Sequence, residues 1–460
     1  MRRRLRVVFA SLAAWSACAG CGSSAGQGAG DLNPTSQEMT ALAALSPATL
    51  PPPPTDVSNR FSDDSGAAHL GQELFFDPSL SGRLLDSDND GSPDTLGMLG
   101  QTGRVACSGC HLPNSGFVDT RSLGEAISLA AAWGLRKAPS LLDVGQEKLL
   151  MWDGRKDALY NQVFGPIESP LEMNSSRLFV AEVLATKYRS EYEPIFGTMP
   201  AFDDPTQFPA LSADLTGCTP NAALTPTCSG TTHGMPGDHA EYDGMTAGQQ
   251  DAVTRAVVNA GKAVAAYERK LACGPSRFDQ WMHGSASALS ASEIRGALLF
   301  IGKGQCSSCH SGPYLSDQKF HNVGLAPVQV NFSAPADTGD QGAIVGIAEA
   351  IANPLNTLGP YSDGTDGRLP QAATPAEAGA FKTPMLRCAA DRPSFMHTAQ
   401  IKTLAEVVAF FNQGGAFPEF GTSELSPLGM SADEEQDLVN FLLALSGPGP
   451  DASLLAAPSP

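Results

Sequence analysis

Cys-x-x-Cys-His occurs twice in this chain of 460 residues, at Cys107-Ser-Gly-Cys110-His111 and at Cys306-Ser-Ser-Cys309-His310. In each motif two thiols can bond to the vinyl groups of one haem while the adjacent imidazole binds its iron. Zinc also uses Cys-x-x-Cys pairs, but a ribbon-type site sets them a few tens of residues apart. These pairs lie 199 residues apart and each carries the trailing His. The expected cofactors are therefore two covalently bound haem c groups, one held by Cys107, Cys110 and His111, the other by Cys306, Cys309 and His310, with His111 and His310 on the irons.

The N-terminus reads as an export signal over 1–21. Arg2-Arg3-Arg4 precedes an apolar run that is short for a membrane span. Ala19-Gly20-Cys21 resembles a bacterial lipoprotein cleavage site, although Cys18 stands where Leu is usual. The reading is an exported, periplasm-facing protein whose membrane contact is a lipid anchor at Cys21. Of ten cysteines, Cys18 leaves with the signal, Cys21 takes lipid and four are haem thiols. In an oxidising compartment the remaining four suggest the disulfides Cys218–Cys228 and Cys273–Cys388; buried free thiols at Cys273 and Cys388 are the alternative. A net charge of −19 argues against nucleic acid and suits a basic redox partner.

Residues 22–62, rich in Gly and Ser and containing Pro51 to Pro54, read as a flexible tether. An N-terminal haem domain is expected over 63–272, with a loop insert at about 198–247, and a C-terminal one over 273–447; 448–460 reads as a disordered tail. The halves repeat loosely: Leu70-Gly-Gln-Glu-Leu74-Phe-Phe precedes the first motif and Arg295-Gly-Ala-Leu-Leu-Phe300 the second. Capping boxes at Thr403–Glu406 and Ser431–Glu434 open apolar-periodic helices, and strand signals are few. The fold class expected is mostly α: two cytochrome c-like haem domains packed around an interface, with long loops and few short strands. The run from Asp86 to Asp94 looks like half a calcium loop, but Gly97 stands where an EF-hand needs its Glu, which favours a solvated acidic turn.

Further motifs carry a resemblance. Arg136-Lys-Ala-Pro139-Ser-Leu-Leu142, Trp152-Asp-Gly-Arg155, Gln162, Pro166 and Glu172 follow the first haem motif. Phe381-Lys-Thr-Pro-Met-Leu-Arg387 and Arg392-Pro-Ser-Phe-Met-His397 follow the second. From about residue 66 to 446 the chain resembles the bacterial dihaem cytochrome c peroxidase and MauG family. The resemblance implies that Glu172 is the acid–base residue over a peroxide-binding N-terminal haem. It implies that Gln162 fixes that pocket, and that Trp152 is an electron stepping point between the haems.

The departures are as informative. Activatable peroxidases of the family place a loop His two residues before a Trp; here that Trp resembles Trp133 and the aligned residue is Ala131, which implies an iron open without prior reduction. The second haem's distal Met or Tyr aligns with Phe411, which cannot bind iron, and this implies either a five-coordinate iron or Met396, Met385 or His397 as its sixth ligand. The family's interhaem calcium site is altered at Lys137 and Asp391, so calcium is open, and an ion pair of these two residues would stand in for the metal.

The first function expected is a peroxidase. It would reduce hydrogen peroxide to water at the N-terminal haem, using electrons passed through the C-terminal haem from a small cytochrome c or cupredoxin. The second is a MauG-like oxidase that uses peroxide to oxidise Trp or Tyr of a secreted partner protein. The third is a non-catalytic electron carrier, against which Glu172 and Gln162 speak.

Overall fold

A computed structural model describes residues 33–121, 127–211, 241–328, 339–390 and 392–458, with the backbone of 218–220 and 226–228. The helices of the first half are α1 (Ser36–Ala43), α2 (Ser65–Phe76), α3 (Cys107–Cys110), α4 (Leu159–Gln162), α5 (Phe164–Glu168), α6 (Arg177–Lys187), α7 (Arg189–Phe196), α8 (Glu241–Gly244) and α9 (Ala247–Glu268). Those of the second are α10 (Arg277–Met282), α11 (Ala291–Ile301), α12 (Ala343–Ala352), α13 (Leu404–Asn412) and α14 (Ala432–Leu443). Two antiparallel strand pairs complete the described structure: β1 (Cys218–Pro220) with β2 (Pro226–Cys228), and β3 (Phe320–His321) with β4 (Phe381–Lys382). The protein is mostly helical with few, short strands, as expected. Among the described residues no helix is long and apolar enough to cross a membrane.

Two apolar cores organise the fold. The first gathers Leu70, Leu74 and Phe75 of α2 with Val257, Val264 and Tyr267 of α9. The second gathers Ala297 and Phe300 of α11 with Leu438 and Phe441 of α14. The sequence repeat explains both crossings. A Cβ at Gly71 would lie 1.9 Å from the Ala263 carbonyl oxygen, and one at Gly296 would lie 2.0 Å from that of Asp437. Both values are far inside van der Waals contact, so only Gly lets each helix pair close. The expected capping boxes at Thr403 and Ser431 are present, each hydroxyl accepting from the backbone N–H of the Glu three residues on.

The tether expectation is corrected from residue 33 onward. Thr35 and Glu38 form a capping box for α1, and Leu42 and Leu45 are buried in the second core. The Pro51 carbonyl accepts from Gln146 (3.1 Å) and Tyr314 (2.6 Å), which belong to different halves. A polyproline segment makes no internal hydrogen bonds, so its carbonyls are free to serve as docking points. The tail expectation is likewise corrected through residue 458. Tyr267 donates to the Leu454 carbonyl at 2.6 Å, and Leu454 and Leu455 pack on the first core.

Cys273 and Cys388 are joined as a disulfide. The backbone register sets Cys218 opposite Cys228 across β1 and β2, while their side chains lie outside the described residues. The signal segment 1–21, with Cys21, also lies outside them.

Candidate active site

Each motif turn presents its His in the same way. The His111 N–H donates to the Cys107 carbonyl at 2.9 Å, closing one turn of α3, and His310 repeats this with Cys306 at 2.8 Å. His111 Nδ1 lies 3.1 Å from the Phe117 carbonyl, and His310 Nδ1 lies 2.9 Å from that of Leu315. Both carbonyls are turned inward by a left-handed residue, Phe117 at φ 57° and Leu315 at φ 54°. A carbonyl only accepts, so the proton sits on Nδ1 and Nε2 keeps its lone pair for a metal. Burial lowers the pKa of both imidazoles and favours the neutral form that iron requires. The four motif cysteines are unpaired. These donors fit two haem c groups: paired free thiols for thioethers, and beside each pair a neutral, oriented imidazole.

Beside α3 lies a cavity lined by Cys107, Cys110, His111, Gln162, Pro166, Glu172 and Glu268. Gln162 comes from the last position of α4, where its Nε2 donates to Met151 Sδ at 3.6 Å. Glu172 sits in the turn after α5, its N–H bonded to the Ser169 carbonyl at 3.1 Å. Burial raises the Glu172 pKa, against the opposing field of Arg155 and a hydrogen bond with Ser169. An adjoining cavity shares Cys110, His111, Gln162 and Glu172, and adds Trp152. The three residues expected to carry catalysis thus come together around the first motif.

Ala131 lies behind the cavity wall, next to Ala130, which lines the adjoining cavity. It is fully buried, its N–H donates to the Glu172 carbonyl at 2.8 Å, and its carbonyl accepts from Leu85 and Asp86 at 2.7 and 3.0 Å. The acidic run Asp86 to Asp94 is solvated at Asp90 and Asp94, as expected, but also braces this segment. Asn89 donates to the Ala130 carbonyl at 3.0 Å, and Asp88 accepts from Trp133 Nε1 at 2.8 Å. Among the described residues no group of three His, Cys, Asp or Glu is placed to hold a metal ion.

Trp152 ties the two repeats together. Its Nε1 donates to the Lys137 carbonyl at 2.7 Å, and its own carbonyl accepts from Lys382 N at 2.8 Å. Lys137 N in turn donates to the His397 carbonyl at 2.6 Å. The Lys137 ammonium hydrogen-bonds the Ser394 carbonyl. Burial, with Arg392 and Lys402 nearby, pushes its pKa down to about 7. Asp391, its expected partner, lies outside the described residues.

The expected sixth-ligand residues are scattered. The His397 ring stacks on Phe381 at 3.6 Å, and Arg136 lies over the same Phe381 ring. Met385 is buried and follows Pro384, whose carbonyl faces His310. Met396 adopts φ 68° in the turn before His397. Phe411 packs edge-on against Phe410 of α13. Sequence reasoning missed Glu268, Met151 and Arg155 at the cavity. Their signal was there in part, since Glu268 ends an otherwise apolar helical stripe and Met151 and Arg155 flank Trp152.

Fold and site together define a two-haem c-type oxidoreductase. Residues 65–213 match the family model described as di-haem cytochrome c peroxidase. The chain is 28% identical over 405 residues to the cytochrome-c peroxidase IdrP1 of Denitromonas iodatirespirans, covering 86% of this chain and 85% of that protein. It is 28% identical over 376 residues to the methylamine utilization protein MauG of Methylorubrum extorquens, covering 82% of this chain and 77% of that one. Among solved structures it resembles the diheme peroxidase BthA of Burkholderia thailandensis, with a TM-score of 0.57, 22% identity and 87% of each chain covered. The chain is similar over most of its length to bacterial dihaem cytochrome c peroxidases and MauG and is an oxidoreductase with peroxide as acceptor.

Proposed function

We propose that the protein is a peroxidase that reduces hydrogen peroxide to water at the N-terminal haem, with electrons entering through the C-terminal haem from a small cytochrome c or cupredoxin. The observation that carries this reading is the convergence of Glu172, Gln162 and His111 on one cavity. A bound haem supplies the redox-active iron and the site where peroxide binds. His111, its Nδ1 proton committed to the Phe117 carbonyl, would hold that iron through Nε2. Glu172 takes a proton from one peroxide oxygen and returns it to the leaving one; burial raises its pKa, which favours the protonated form it needs as an acid. Gln162 orients the peroxide through its amide. Trp152, hydrogen-bonded between the repeats, offers the route for electrons.

Ala131 supports a second reading, the MauG-like oxidation of Trp or Tyr on a secreted partner. Alanine offers no imidazole at this position, so a haem held by His111 would take no ligand from Ala131. Export with a lipid anchor at Cys21 and haem domains over 63–272 and 273–447 belong to both readings.

Adding peroxide to the fully oxidised protein tests the site. The haem spectrum is expected to change at once, and Glu172→Gln to slow that change by about a hundredfold or more, the loss typical of a positioned acid–base group. A wild-type protein that responds only after one electron is supplied would overturn the open-iron reading. Turnover with a reduced small cytochrome separates the peroxidase from the protein oxidase.

A further inference from the structure

Helix α9 turns Ala260, Val264 and Glu268, four residues apart, into the cavity beside Cys107 and His111. Two apolar residues and a carboxylic acid thus share one stripe. Glu268 is 4% exposed, and its Oε2 has no hydrogen-bond partner in the structure. It also ends a helix of 22 residues, where the negative end of the helix dipole disfavours an ionised carboxylate. Burial pushes the acid up to about 8. The basic side chains of the same helix turn elsewhere: Lys262 pairs with Asp363 at 2.7 Å, and Arg255 with Asp251. A buried acid with one oxygen unpartnered among the described residues is costly, so its presence there points to a role with the group that fills the cavity.

Glu268 also lines the adjoining cavity, together with the charged Arg136, Lys137, Glu147, Asp153, Arg155 and Glu349. Cys107 of α3 feels its charge, as does Tyr267 beside it, and Glu172 lines the same cavity. Helices α2, α4 and α6 contribute the uncharged Leu74, Gln162 and Val180. Once Cys107 is a thioether it does not titrate. Burial is what raises the Glu268 acid, and a haem in this cavity would lie within reach of its charge.

We propose that Glu268 is an electrostatic partner of the N-terminal haem that binds a proton when the iron gains an electron and releases it when the iron loses one. The step balances as one electron to ferric iron, from the donor protein or a mediator, with one solvent proton to the Glu268 carboxylate. The products are ferrous iron and a neutral acid. Peroxide reduction to two waters consumes two protons, and Glu172 holds one at a time. Glu268 then brings the second into the same cavity with the electron. This rests on the reading that the first haem occupies this cavity.

The test is a spectroelectrochemical titration of the two-haem protein across neutral to alkaline pH, with the N-terminal haem followed separately. In wild type the midpoint is expected to fall by about 59 mV per tenfold drop in proton concentration, the one-electron, one-proton value. Glu268→Gln should flatten this dependence, Glu268→Asp should retain it with a shifted inflection, and Glu172→Gln should leave it in place. A Glu268→Gln slope equal to wild type, or no slope in wild type, would overturn the proposal, since haem propionates or another group would then set the proton count. If Glu268→Gln fails to take up haem, Glu268→Asp decides: an inflection identical to wild type also overturns it. Peroxide reactivity of the oxidised wild type is read in parallel. Its absence would count against the peroxidase reading while leaving the proton coupling measured on its own terms.

Discussion

Single residues set the electrostatics of this molecule, and two carboxyls show how burial can drive a group either way. Asp279 is buried, which alone would raise its pKa. Hydrogen bonds and charge from Arg387 outweigh that cost, with Ser46 assisting, and hold it at about 2. Both side chains are essentially inaccessible, with Arg387 Nη1 2.7 Å from Asp279. A depressed folded pKa means that the pair stabilises the protein fully above the unfolded value near 4 and loses that contribution as pH falls toward 2. Asp279→Asn, which strands a buried guanidinium, is expected to cost about 3–5 kcal/mol in denaturant unfolding at pH 7. The deficit should shrink as pH approaches 2, and a constant deficit would refute the linkage. Among the described residues Glu172 has no ion-pair partner at bonding distance, and burial moves its pKa up instead. As a base it must be ionised to accept the peroxide proton. The rate of reaction with peroxide should therefore rise with pH through an apparent pKa above the ordinary carboxylate value, and this inflection should vanish in Glu172→Gln.

At the scale of elements, what could be read from the sequence was what a local pattern dictates. The Cys-x-x-Cys-His turns, the capping boxes of α13 and α14 and the paired Leu-Gly and Arg-Gly helices all rest on contacts a few residues apart, or on a glycine that only a close crossing requires. Gly296→Ala should drive a methyl into the Asp437 carbonyl of α14 and cost about 1–3 kcal/mol or more, as overpacking does. Thermal unfolding compared with an Ala substitution at exposed Gly449, where nothing lies within 4 Å, isolates the effect. The bracing role of Asp86 to Asp94 was not legible, because Asn89 and Asp88 act on Ala130 and Trp133 some forty residues away. Glu268 escaped notice for a related reason. A Glu at the end of a helix reads as solvated until tertiary packing buries it.

At the scale of the whole molecule, the segments that looked dispensable join the halves. Residues 33–62 place Leu42 and Leu45 in the second core, while Asn59 donates to the Lys262 carbonyl in the first half at 3.0 Å. The tail returns the other way: Gln72 of α2 donates to the Ser453 and Ala456 carbonyls, both at 2.7 Å. The disulfide Cys273–Cys388 adds a covalent tie across a sequence separation of 115 residues. Low apolar periodicity hid these roles, since a strap docked through backbone carbonyls leaves no side-chain pattern to read. Electron transfer between two haems depends on fixed spacing, so these ties bear on function as well as stability. Leu42→Ala is expected to cost about 2–5 kcal/mol, the usual loss for a buried leucine. Because Pro51 touches both halves and α1 packs in the second core, deleting 34–54 should do more than lower the midpoint. The single calorimetric transition expected of the intact protein should split into two, the second half melting first because it loses Leu42 and Leu45 from its core. One cooperative transition in the deletion variant would show that the Trp152 and disulfide contacts alone suffice to couple the two haem domains.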